Sequence, residues 1–175
     1  NPHTGLLTNF DCSVFWVSDR SKLIETLNIL PPYLRNETED NPAAIDYRDW
    51  HVPLGRRFRA LKLWFVLRSY GAENLRTFIR SHVAWAEALE SKVVNDSRLE
   101  LTAPRTLALV CFRHIDGNHA TRELADAINA SGSAYVTPSV TDDVAYIRVS
   151  IGSTWTEQRH VEDLWDLIDS NAGLK

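Results

Sequence analysis

Apolar residues recur at three- and four-residue spacing from Leu75 through Phe78, Ile79, Val83, Ala86 and Leu89 to Val93, a one-sided stripe that predicts an amphipathic helix. Just before it, RRFRALKLWFVLRSYG is apolar nearly all round from Phe58 to Tyr70 and stops at Gly71, which predicts a second, buried helix ended by its glycine. Downstream the period shortens. A short strand is expected near Leu99 to Thr102 and a stronger one in TLALVCFRH. A helix follows from Asn118 to about Ala130, then strands in AYVTP and VAYIRVSIG, and a last helix. Thr154 and Glu157 read as a capping box opening that last helix, with Trp155, Leu164, Leu167 and Ile168 as its apolar positions. The order β-β-α-β-β-α is packed most economically as an antiparallel sheet with helices on one face.

The first fifty residues are patterned differently. GLLTNFDCSVFWV mixes β-branched, aromatic and small apolar residues around Asn9 and Asp11, which suits two short strands near a sheet centre. From Ser21 to about Trp50 no period is sustained. Three prolines and a cluster of acids in NILPPYLRNETEDNPAAIDYRDW predict a long loop of the kind that serves as a lid or binding segment.

At 175 residues and 44% hydrophobic, the chain has material for one sizeable core. A net charge of −4 gives no basic footprint for nucleic acid, and no apolar run reaches membrane length, so a soluble, cytoplasmic protein is expected. The chain contains no methionine, which suggests a portion of a longer protein. Cys12 and Cys111 lie in apolar surroundings and read as buried free thiols. Glycosylation patterns at Asn36, Asn95 and Asn129 are discounted because nothing signals secretion. His114 and His119 flank a Gly-Asn turn without a third ligand, so no metal site is expected. His82 and His160 read as surface or capping residues. Taken alone, Tyr33 is a turn aromatic, Phe10 a core residue, Gly55 a helix-entry glycine, and Arg56, Arg57 and Arg59 a solvated first turn.

Three stretches taken together carry more. NPH followed by LLTNFDCSVFWV, the segment PPYLRNE, and DYRDWHVPLGRRFRALKLWFVLRSYG resemble the C-terminal portion of the group II pyridoxal-phosphate-dependent decarboxylases, specifically the aromatic-L-amino-acid branch. The resemblance runs essentially end to end. It implies an α/β chain of the fold-type I transferase-like class: residues 1–20 as the last strands of the large cofactor-binding domain, 21–52 as the mobile catalytic loop, and 53–175 as the small α+β domain with its linking helix. It further implies pyridoxal 5′-phosphate as cofactor, an aromatic L-amino acid as substrate, and a homodimer whose subunits build each site together.

The resemblance also assigns residues. Where the family has NPHK, with the lysine that attaches the cofactor covalently, this chain has Thr4, and Gly5 stands beside it in place of a large apolar residue. Asn1 aligns near the cofactor phosphate and His3 close to cofactor and substrate. Phe10 falls where an aromatic lines the substrate side chain. Tyr33 aligns with the loop tyrosine that returns a proton after carbon dioxide leaves. Leu54 and Gly55 match a segment that reaches toward the cofactor of the other subunit, Gly55 also flanking the substrate. A lysine is wanted because only a primary amine exchanges with a substrate amine; a threonine hydroxyl cannot. Three readings follow: a decarboxylase part, an aldehyde synthase of the same fold, against which Tyr33 argues because such enzymes usually carry phenylalanine there, or a non-catalytic paralogue or fragment, for which Thr4 argues.

Overall fold

In a computed structural model, which describes residues 1–27, 47–53 and 55–173, the chain falls into two units, Asn1–Gly71 and Ala72–Lys175. The second holds the sheet. Its strands β1 (Leu99–Leu101), β2 (Leu109–His114), β3 (Thr137–Thr141) and β4 (Val144–Ser150) run antiparallel in the order β1-β2-β4-β3. Between and after them lie helices α4 (Asn118–Ala130) and α5 (Gln158–Asn171). Alternation is strict along β2: Val110, Phe112 and His114 are buried, while Leu109, Cys111 and Arg113 are only half-buried. Ala145, Ile147 and Val149 do the same on β4. This single covered face meets Leu124, Ala125 and Ile128 of α4, Val161, Leu164 and Ile168 of α5, and Ala86, Leu89 and Val93 of the preceding helix. Each large aliphatic or aromatic side chain so buried contributes roughly 1.5–3 kcal/mol. The antiparallel sheet with helices on one face is therefore as the pattern predicts.

That preceding helix, α3 (Arg59–Asn95), is broken at Gly71, whose φ of 73° and ψ of 163° leave helical space. Its stretch beyond the glycine buries Leu75, His82, Ala86, Leu89 and Val93. His82 is thus a core residue rather than a surface or capping one. It is wedged edge-on between Phe78 and Trp85, with ring centroids 4.2 and 5.1 Å away. The strand expected in AYVTP begins later, at Thr137, because a tight turn sets the register: Thr141 pairs with Val144, and the two intervening residues, Asp142 and Asp143, both take positive φ, the requirement of a two-residue hairpin turn. The capping box also moves. Glu157, not Thr154, is the N-cap of α5; its side chain receives the His160 backbone N–H, and its own N–H donates to His160 Nδ1 at 3.1 Å.

In the first unit Pro2–Gly5 forms α1, Arg20–Leu27 forms α2, and Tyr47–Trp50 a single 3₁₀ turn, so both ends of the expected loop are helical. The two strands expected within residues 6–17 are not formed in this chain. Strands exist through ladder partners, and no strand is present among the described residues of this unit. Phe10, Phe15 and Trp16 accordingly stand exposed. The stretch from Phe58 to Tyr70 is helical from Arg59 but not buried: Trp64 and Phe65 are each more than half exposed. Among the described residues no helix is long and apolar enough to cross a membrane.

Candidate functional site

The candidate site is built around the first turn of the chain. Proline at the first helical position presets φ and has no N–H to lose. Asn1 caps the turn through its carbonyl, which accepts from Thr4 N at 3.0 Å and Gly5 N at 3.1 Å. The turn puts Thr4 in solvent, with a hydroxyl and no amine, so the residues present do not fit covalent attachment of a cofactor aldehyde.

His3 turns the other way. Its ring Nδ1 lies 2.6 Å from the Cys12 carbonyl oxygen and 3.1 Å from the Cys12 amide nitrogen. Both contacts tie Nδ1 to the Cys12 backbone, and Nε2 has no hydrogen-bond partner among the described residues. Across the same corner the Phe10 ring meets the imidazole edge-on at 5.1 Å and 82°. Asn1, His3, Thr4 and Phe10, separated by up to nine positions, thus share one corner. Phe10 is not a core residue; it is four-fifths exposed.

Three arginines that read as a solvated turn each have partners. Arg59 grips the Asp11 carboxylate with two bonds, Nε to Oδ1 at 3.1 Å and a terminal nitrogen to Oδ2 at 3.0 Å, and Arg57 reaches Oδ1 at 3.3 Å. The hydrogen bond from Arg59 holds the Asp11 carboxyl below the usual carboxylate range and, in return, the Arg59 guanidinium above its own. Arg56 donates to the Tyr47 carbonyl and to His51 Nδ1, both at 3.1 Å, with its guanidinium 5.5 Å from the Tyr47 ring centre. Because Nδ1 accepts, His51 carries its proton on Nε2 and donates to the Gly55 carbonyl at 3.3 Å. Gly55 itself is exposed, and a Cβ built there meets nothing within 4 Å. Neither His51 nor Asp11 stood out in the sequence: each signal lies in a partner five or more positions away. Tyr33 and Leu54 lie outside the described residues.

The remaining candidates are structural. Cys12 and Cys111 are free thiols, Cys12 buried and Cys111 half-buried, and desolvation raises the Cys111 thiol. His114 is buried, its Nε2 2.9 Å from the Ala172 carbonyl and its Nδ1 taking the Asp116 N–H, whereas His119 is exposed. No cluster of three potential metal ligands lies among the described residues. The amide nitrogens of Asn95 and Asn129 are engaged on the Ser91 and Val136 carbonyls, and Asn36 lies outside the described residues.

Residues 1–115 match the pyridoxal-dependent decarboxylase conserved domain. The chain is 44% identical to tyrosine decarboxylase 2 of Narcissus pseudonarcissus over 99% of its own length and 36% of that protein's. It is 41% identical to phenylacetaldehyde synthase of Arabidopsis thaliana, over 98% of the chain and 36% of the relative. Among solved structures, that of Oryza sativa TDC with PLP and tryptamine superposes with a TM-score of 0.92 at 39% identity, over 98% of this chain and 37% of that one. The chain spans little more than a third of the length of these relatives.

Proposed function

Since the chain belongs to the pyridoxal-dependent decarboxylase family, we propose that it works as part of an enzyme that converts aromatic L-amino acids to aromatic amines and carbon dioxide, and that with threonine at position 4 it does not itself turn over substrate. The family's cofactor is pyridoxal phosphate. When bound, that group supplies an electron sink for the bond to the departing carboxylate. The observation that supports the substrate class is the exposed Phe10 ring set edge-on to His3, a surface that an aromatic side chain can stack against for about 1 kcal/mol beyond its area burial. Gly55 adds open space rather than a hydroxyl, which favours bulk over a polar ring. His3, with Nδ1 tied to the Cys12 backbone, holds its ring in a fixed orientation and leaves Nε2 to meet a ligand. Tyr33 is the proton donor of a lid in this reading, and the assembled enzyme is a cytoplasmic homodimer.

The test is a chimaera in which this chain replaces the matching portion of the Narcissus tyrosine decarboxylase. With Thr4 no visible absorbance from lysine-bound cofactor and no turnover are expected. Thr4→Lys is expected to bring both, with tyrosine or tryptophan preferred over histidine and glutamate. A lysine-restored chimaera that binds cofactor covalently but prefers glutamate overturns the substrate assignment.

Two further readings have an observation each. The match to phenylacetaldehyde synthase favours an aldehyde synthase, which couples decarboxylation to oxidative deamination; Tyr33 weighs against it, and aldehyde rather than amine from the Thr4→Lys chimaera selects it. Thr4 favours a non-catalytic paralogue, selected by a chimaera that stays silent after lysine is restored.

A further inference from the structure

The His3–Phe10 corner joins α1 to a stretch without regular secondary structure, yet the residues around Phe10 are each tied down. Asn9 is held through its carbonyl by Lys62 Nζ at 2.7 Å. Asp11 is gripped by both Arg59 and Arg57. Cys12 is buried, with its carbonyl on His3 and its thiol 3.9 Å from the Arg59 carbonyl. Among the described residues, the non-local anchors other than His3 belong to residues 57–62, at the entry to α3. Phe10 has no polar partner among the described residues and faces solvent. A planar guanidinium meeting a carboxylate with two parallel bonds fixes both distance and direction, which a single lysine contact does not.

We propose that Asp11, held by Arg59, is a positioning residue for the aromatic subsite: it sets the Phe10 ring against the His3 ring, and so fixes where an aromatic substrate side chain stacks. Asp11 makes its side-chain bonds to Arg57 and Arg59. It acts on its neighbours, because residues 10 and 12 flank it and carry the two contacts, ring edge and carbonyl, that orient His3. The role as a subsite rests on the decarboxylase reading given above; the positioning of the two rings does not.

The two are separated by measuring them differently. In the full chain, labelled with nitrogen-15 at histidine, the His3 ring is expected to show one ring form alone, and its carbon-bound protons a ring-current shift that Phe10→Leu abolishes. Asp11→Asn keeps size and shape but weakens the grip, and Arg59→Gln removes the fork. Both are expected to erase that shift and mix the two ring forms, while signals from the sheet of residues 99–150 stay put. The exchanged pair, Asp11→Arg with Arg59→Asp, is expected to restore them in part. In the Thr4→Lys chimaera Asp11→Asn is expected to raise KM for tyrosine by on the order of tenfold with kcat changed far less, since it removes binding rather than a chemical group. His3 signals unchanged in both single variants overturn the inference, whatever the chimaera does. Signals that shift with KM unaltered keep the positioning and overturn the subsite reading.

Discussion

Asn129 substitutes for a strand. Its side-chain amide donates to the Val136 carbonyl at 3.1 Å, and its carbonyl oxygen accepts the Val136 N–H at 2.7 Å, so one side chain satisfies both backbone groups of a residue only 2% exposed. Asn129→Ala removes both partners. A buried backbone group left unmade costs about 1–3 kcal/mol, so the pair sums to roughly 2–4 kcal/mol once partial access of water is allowed. That is a large share of the ~5–15 kcal/mol that holds an ordinary domain together. Asn129→Asp separates the two bonds. Ionised, the carboxylate keeps the N–H but faces the Val136 carbonyl oxygen with no hydrogen to give; protonated, it makes both bonds again. The folded state therefore raises that carboxyl above its unfolded value, and the Asp variant is expected to regain stability relative to the wild type as pH falls through the carboxylate range. Urea unfolding of the full chain, followed by far-ultraviolet circular dichroism, reads both effects as shifts in midpoint at constant slope. An alanine variant within about 0.5 kcal/mol of the wild type, or an Asp variant indifferent to pH, refutes the argument.

His82 is buried with no hydrogen-bond partner for either ring nitrogen among the described residues, and desolvation lowers its pKa. A depressed folded value means that the unfolded chain binds the extra proton first. Its stabilisation is complete above the ordinary value of about 6.5 and declines as pH falls toward the folded value. His82→Phe should flatten that acid limb in thermal melts at pH 7 and pH 5, and an equally steep limb would argue against it. Gly71→Ala forces a Cβ into positive φ, for an expected loss of about 1 kcal/mol in the same melts; no loss would show that the break is not required. His51→Gln preserves an acceptor for Arg56 and a donor for the Gly55 carbonyl, whereas His51→Leu preserves neither, so the carbon-13 shift of the Gly55 carbonyl should move in the leucine variant alone, and a shift that stays put there would argue against the bond. Gly55→Ser, with nothing within 4 Å of the new Cβ, should leave stability within about 0.5 kcal/mol yet shift the preference of the Thr4→Lys chimaera toward histidine several-fold, and an unchanged ratio would remove Gly55 from the substrate pocket.

The sheet unit was legible because its code is local. Alternation along β2 and β4 and the stripe of three- and four-residue spacing from Leu75 to Val93 each report one buried face, and the structure buries those faces except at Ile79, which is exposed. Its errors were at boundaries, where a contact distant in sequence decides: Asn129 occupies Val136, Asp142 and Asp143 set the hairpin register, and His160 completes a cap for Glu157. Residues 6–17 were misread for a different reason. Their composition speaks of a strand, but a strand is a relation between two segments, and the described residues of this unit supply no second one. Of the candidate site, Asn1, His3, Thr4 and Phe10 were found through family resemblance and are brought to one corner, although Phe10 by its composition alone read as core. Asp11, Arg59 and His51 carried no signal, because a carboxylate or imidazole on a polar surface looks the same whether or not an arginine forty-eight positions away is aimed at it.

The position of β3 at the end of the sheet has a consequence for how copies of this protein meet one another. A terminal strand offers its unpaired backbone groups to any other chain, and Val140 beside them is more than half exposed. Pro138, second in that strand, has no N–H to give, and the two aspartates of the hairpin turn place negative charge at its end. Both are devices that discourage a fifth strand from docking. A cell making this protein in quantity thus has a guarded edge where the sheet would otherwise seed aggregation, and Pro138→Thr, harmless to the fold on paper, is the change that would remove the guard.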